Sequence, residues 1–237
     1  MQANSDHQDA VLRQPLVLGN HEALVNDDID LLAEHISLAV PLREITAIGP
    51  TDDFRQRSSY RIAGDIGLTA ATITPTRMVV EACNECSIVL LHRGHATYEL
   101  EGSPYLCQAG SVGMFLPGMD YQVESSLASG LVYNLSNQLL ARYLCEATQG
   151  GIDLDQALHH LQQPHPIDLK NPALQSVLFG LQVLIRTIDS LGQEELPSSQ
   201  PMLHLQEGIY ALSTALLLPD YAPQALASWQ LLPGLAS

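Results

Sequence analysis

An antiparallel β-barrel followed by a set of helices, an α+β arrangement, is the fold class this chain predicts. Three observations point there. Between Leu42 and Asn134 short apolar runs recur about every ten residues, as in sandwiches and barrels. They are punctuated by Gly49-Pro50, Arg93-Gly94, Glu101-Gly102, Ala109-Gly110 and Pro117-Gly118. After Leu135 the apolar residues change from alternation to helical spacing. The chain has 237 residues, of which 46% are hydrophobic, enough for one large domain or a medium domain with a helical appendage.

The elements follow in order. Residues 1–14 read as a loose lead-in, within an N-terminal segment 1–41 that holds one helix. Asn26-Asp27-Asp28 offers a cap for that helix, and Ile29, Leu32, Ala33 and Ile36 recur at its spacing, so it is expected over 27–38 and ends before Pro41. The barrel spans 42–135. Its strands are expected at 43–48, 58–64, 68–73, 77–81, 87–93, 96–101, 104–107, 110–115, 121–125 and 130–134. The helical region spans 136–218. Ser136 caps a helix to about Thr148, with Leu139, Leu140, Tyr143 and Leu144 on one face. A shorter helix fits 153–161. Asn171-Pro172 starts a third, because proline suits the first helical turn. Leu174, Val177, Leu178, Leu181, Leu184, Ile185 and Ile188 form its apolar stripe up to Leu191. Residues 192–199 read as a polar linker, and a last leucine-rich helix as 201–218. Residues 219–237 form a linker-like tail. The last two long helices carry more apolar surface than one barrel face needs, so a homodimer through these C-terminal helices is expected.

Charge narrows the function. Ten basic residues stand against 26 acidic ones, for a net charge of -16, and Lys170 is the single lysine. Nucleic-acid binding draws its affinity from neutralised phosphates, so this chain is expected to bind no nucleic acid directly and no anionic membrane surface. The start MQANSDHQDA has no basic and apolar signal pattern, and the apolar runs are too short to cross a bilayer. A cytoplasmic protein with reduced Cys83, Cys86, Cys107 and Cys145 is expected.

Two constellations could carry metal chemistry. Cys83-x-x-Cys86 precedes His92-x-x-His95. A strand over 87–93 would hold Cys86 and His92 about 20 Å apart, so the four groups cannot converge on zinc. The second is His92, His95 and Glu99. Metal-binding barrels of the cupin type place two histidines at i and i+2, so that both point inward, and a third after a later Pro-x-Gly turn. Here the spacing is i, i+3 across Gly94, and Met119-Asp120-Tyr121 follows Pro117-Gly118. No metal site and no cofactor are expected. No Gly-x-Ser-x-Gly elbow and no glycine-rich phosphate loop occur, so no catalytic residue is assigned and the protein reads as no enzyme.

What remains is a pocket. The strands carry Tyr60, Tyr98, Tyr105, Tyr121 and Tyr133, and an apolar barrel with a few hydroxyls suits a small molecule. His92 follows Ile88 and Leu90 in alternation and is expected on their face. The ligand-binding residues named on this basis are His92, Tyr60, Tyr98, Tyr121 and Tyr133.

The order of features carries a resemblance. Ser58-Ser59-Tyr60-Arg61-Ile62-Ala63-Gly64-Asp65-Ile66-Gly67-Leu68 leads into LLHRGHATYELEGSPYLCQAGSVGMFLPGMDYQV. A helix starting Ser136-Asn137-Gln138-Leu139-Leu140, the PIDLKNPALQSVLFGLQVLI helix and a last leucine-rich helix follow. Over about residues 20–222 this resembles the N-terminal sensing half of AraC-type transcription regulators. The best matches are the RG-x-x-x-Y-x-x-x-G turn, the AG before one strand and the LPG after it. The resemblance implies a degenerate, metal-free cupin-like barrel (a jelly roll) that binds a small-molecule effector, and helices that dimerise. That family's DNA-binding half has no counterpart among these residues. A non-enzymatic sensing and dimerisation module is therefore the first expectation. A cupin-type metal-dependent enzyme, or a standalone interaction partner and antagonist of full-length regulators, are the alternatives.

Overall fold

The computed structural model describes residues 13, 15–37, 40–50, 53–191, 199–221 and 223. Most of the expected lead-in, most of the 192–199 linker and most of the 219–237 tail lie outside the described residues.

The strands are β1 (Leu24–Asn26), β2 (Leu42–Ala47), β3 (Gln56–Ala63), β4 (Ile66–Ile73), β5 (Thr76–Val80), β6 (Glu85–Arg93), β7 (His95–Leu100), β8 (Ser103–Gln108), β9 (Val112–Leu116), β10 (Tyr121–Ser125), β11 (Ala128–Ser136) and β12 (His165–Asp168). All pairings are antiparallel, and the strands run in the order β1-β3-β4-β11-β6-β9-β8-β7-β10-β5-β2, with β12 added beside β9. The sheet curls on itself into an antiparallel half-barrel with an interior. Its turns need their glycines. Gly94, between β6 and β7, has φ of 74°, and Gly118 packs so closely on the carbonyls of Cys83 and Glu85 that a Cβ would not fit.

The helices are α1 (Ile29–Ser37), α2 (Asn137–Ala147), α3 (Leu154–His160), α4 (Gln175–Leu191) and α5 (Gln200–Leu217). Their starts match the capping residues. Ser136 accepts the Leu139 N–H at 3.4 Å, Asp153 and Gln156 form a capping box, and Asn171 accepts the Ala173 N–H at 3.0 Å ahead of a short 3-10 turn at Pro172–Leu174.

Alternation assigns the sheet two faces. Leu68 and Ala70 of β4, Ile88 and Leu90 of β6, and Leu131, Tyr133 and Leu135 of β11 share one core with α2, α4 and α5. Thr69, Ala71, Val89, Leu91, Gly130, Val132 and Asn134 face the barrel interior.

The helix core absorbs most of the apolar surface of α4 and α5. Val177, Leu181, Leu184, Ile188, Leu205, Ile209, Leu212 and Leu216 are all buried within the chain. What stays exposed is Leu203 and Phe179, the latter 67% exposed on a face of α4 with Gln175, Gln182 and Arg186. The expectation of a large apolar excess on these helices is thus corrected, because the barrel offers them a broader face than one short strand set would. No helix among the described residues is long and apolar enough to cross a membrane.

Candidate ligand cavity

The barrel interior holds a cavity of about 440 Å³. That lies within the ~300–1,000 Å³ range of small-molecule sites. Strands from both sides of the curled sheet wall it. The wall is largely apolar, with Ile73, Met78, Val80, Val89, Leu91, Leu116 and Val132 among its side chains. Leu32 and Ile36 of α1 close one side, which explains the apolar stripe read in that helix. Glu22, Leu24 and Tyr60 also line the cavity while remaining solvent-exposed, and so mark its mouth.

Three of the expected tyrosines reach the cavity. Tyr98 and Tyr121 stand edge to face with ring centres 5.7 Å apart. Neither hydroxyl is hydrogen-bonded among the described residues. Burial pushes both phenols up from their ordinary pKa, so both stay neutral. Tyr60 lies at the mouth and is 38% exposed.

His92 and Tyr133 do not line the cavity, which corrects their expected placement. Tyr133 is 1% exposed on the helix face, with its hydroxyl 3.3 Å from that of Ser213 on α5. His92 does share the parity of Ile88 and Leu90, but that parity is the helix side. The ring is exposed near a shift in register, where pairing passes from Leu91 with Gly130 to Arg93 with Ser129. The misplacement of His92 has its cause in β6. Cys86, Ser87, Ile88, Val89 and Leu90 are all buried, so a strand apolar on both faces cannot tell inside from outside by alternation.

His95 and Glu99 are exposed on β7, and β6 runs as a strand between Cys86 and His92. Among the described residues no three His, Cys, Asp or Glu side chains come together to hold a metal ion. Burial pushes the Cys86 thiol up and the Cys107 thiol up to about 12, so neither is a ready nucleophile.

Sequence reasoning missed Gln56. It opens β3 beyond the strand boundary expected at Ser58, and it is 0% exposed. It lines the cavity, and neither Oε1 nor Nε2 has a hydrogen-bond partner among the described residues. Leaving such a group unpaired costs about 1–3 kcal/mol. The signal available was its period with Ser58 and Tyr60, which put all three on one face. The ionic groups of the lining, Arg61 and Glu22, pair with each other at 2.6 Å.

The cavity wall is tied to the helices. The turn between β3 and β4 carries Asp65, whose carboxylate accepts the Tyr210 hydroxyl of α5 at 3.2 Å. The same hydroxyl accepts the Ser136 N–H at 2.9 Å, and its ring stacks on Tyr143 of α2 at 5.3 Å. Near the mouth, the Gly19 N–H donates to Asp189 of α4 at 2.5 Å.

This architecture matches a solved structure. The AraC-like transcriptional activator CuxR superposes on 83% of this chain and 70% of its own with a TM-score of 0.60, at 12% identity. The likeness is one of fold, and it spans most of this chain. A cupin-like protein from Thermotoga maritima covers 39% of this chain and 79% of its own at TM-score 0.30 and 12% identity. The EutQ protein of Clostridium difficile covers 35% and 64% at TM-score 0.30 and 12% identity. No family model and no curated protein sequence matches the chain. The AraC-like fold therefore rests on structure, and barrel and helices enter it together.

Proposed function

We propose that this chain is the ligand-sensing and dimerisation module of an AraC-type transcription regulator, a non-enzymatic cytoplasmic protein that binds no nucleic acid itself. The observation that supports this reading most is the mostly apolar cavity in a barrel whose opposite sheet face packs on helices. A small-molecule effector in the cavity would press on β3, β4, β6 and β11. The Asp65–Tyr210 contact and the Gly19–Asp189 contact lead from the cavity surroundings to α5 and α4. The effector acts only if it favours one barrel-helix arrangement over another.

Two copies would associate through the C-terminal helices, with Phe179 of α4 in the contact. Sedimentation of the intact chain tests this. A dimer that Phe179→Asp turns into a monomer at equal concentration is expected, and a wild-type monomer at every concentration removes dimerisation from the reading. Stoichiometric iron, manganese or zinc in the purified protein would instead support a metal-dependent enzyme.

A further inference from the structure

We propose, building on the reading of the cavity as an effector site, that its ligand is a neutral, largely apolar molecule with an amide-type edge that docks on the carboxamide of Gln56. The edge meant is one hydrogen-bond donor beside one acceptor, as in a primary amide, a lactam or an imide.

Gln56 sets the edge. Its Oε1 accepts and its Nε2 donates, and both are buried, unpartnered among the described residues and part of the cavity lining. Its register partner on β4, Ile73, offers no hydrogen bond. A group that presents a donor and an acceptor together answers both atoms at once. A ligand with acceptors alone leaves Oε1 buried and unpaired.

The rest of the wall sets the body. Most of the wall, with Ile73, Met78, Val80, Val89 and Leu91, would face the several hydroxyls of a sugar without pairing them, since the hydroxyls it offers, Ser59 Oγ among them, are few beside its apolar side chains. A phosphorylated or carboxylate ligand would need a cation, and Arg61 is already paired with Glu22. Tyr98 and Tyr121 add two neutral hydroxyls that suit one further polar atom.

Titration calorimetry on the intact chain with octanamide, methyl octanoate and glucose tests the proposal. Octanamide is expected to bind about tenfold more tightly than the ester, which shares its body and lacks the donor. Glucose is expected not to bind. In Gln56→Met the amide preference should fall below about twofold, while the melting temperature stays level or rises, because an unpaired buried amide has been removed. Equal affinity for amide and ester, preferential glucose binding, or an amide preference retained in Gln56→Met overturns the proposal. So does a fall in the variant's melting temperature of about 5 °C or more, since Gln56 would then hold the fold together. Binding of the ester without preference overturns the amide edge and leaves the effector site standing. Failure of all three probes to bind overturns both.

Discussion

Tyr133 and Tyr98 are both buried tyrosines of the same curled sheet, yet they stand in opposite circumstances. Tyr133 faces the helices and its hydroxyl pairs with Ser213. Tyr98 faces the barrel interior and its hydroxyl is left without a partner among the described residues. The contrast extends along the strands. On the helix face, Ile88, Leu131 and Leu135 interlock with α2, α4 and α5. On the inner face, Val89, Leu91 and Val132 border a cavity. A packed face and a cavity face, one sheet apart, teach that buried polarity has two uses: paired, it fastens the fold; unpaired beside a cavity, it is available to a ligand.

The largest difference should appear in side-chain truncation. Ile88→Ala on the helix face is expected to cost about 2–5 kcal/mol of unfolding free energy. Leu91→Ala on the cavity face should cost about 1 kcal/mol, because it enlarges a space that already exists. Urea denaturation reads both, and equal losses would erase the distinction between the faces. Next comes Tyr210→Phe. It strips the acceptor from the Ser136 N–H and the donor from Asp65, and a loss of about 1–3 kcal/mol is expected. Smaller still, Tyr133→Phe should cost about 1 kcal/mol, whereas Tyr98→Phe should cost nothing measurable. A larger loss from Tyr98→Phe would mean that its hydroxyl is structural.

The smallest effect is in pH. His160 stacks on His165 with ring centres 4.2 Å apart, away from the cavity. Burial, reinforced by the charge of His165, lowers the His160 pKa from its ordinary 6.5. The unfolded chain therefore binds a proton that the folded chain resists. This contribution to stability is full above about pH 6.5 and declines as the pH falls toward the folded-state value. Melting temperatures between pH 7.5 and 5.5 should fall less in His160→Gln than in wild type. A pH response unchanged by that substitution would move its source elsewhere.

Much of the fold was legible because its signals are local. Tyr121–Ser125 is the strand expected, Ser136 caps the helix it was read to cap, and Asn171-Pro172 opens the turn into the helix expected there. The strands that escaped notice are β1, with three residues, and β12, which carries Pro166 and owes its place to pairing with β9 far away in the chain. The site was legible in part. Tyr60, Tyr98 and Tyr121 line the cavity. His92 and Tyr133 were assigned to the wrong side because period two gives parity and does not say which parity faces in. Gln56 was passed over because a polar residue at a strand start between Arg55 and Arg57 looks like surface, and only the folded barrel shows it at 0% exposure.

Strand β11 belongs to both faces at once. Gly130, Val132 and Asn134 border the cavity, and Leu131, Tyr133 and Leu135 meet the helices. The two sets interleave in sequence and share no member. A change at Val132 can therefore alter the cavity wall and leave the helix-facing letters as they are, whereas Gly130 is held by the close backbone of Leu90 and Leu91 and Asn134 by its bond to Ser87. The cavity wall and the helix contact are thus written in separate letters of one strand.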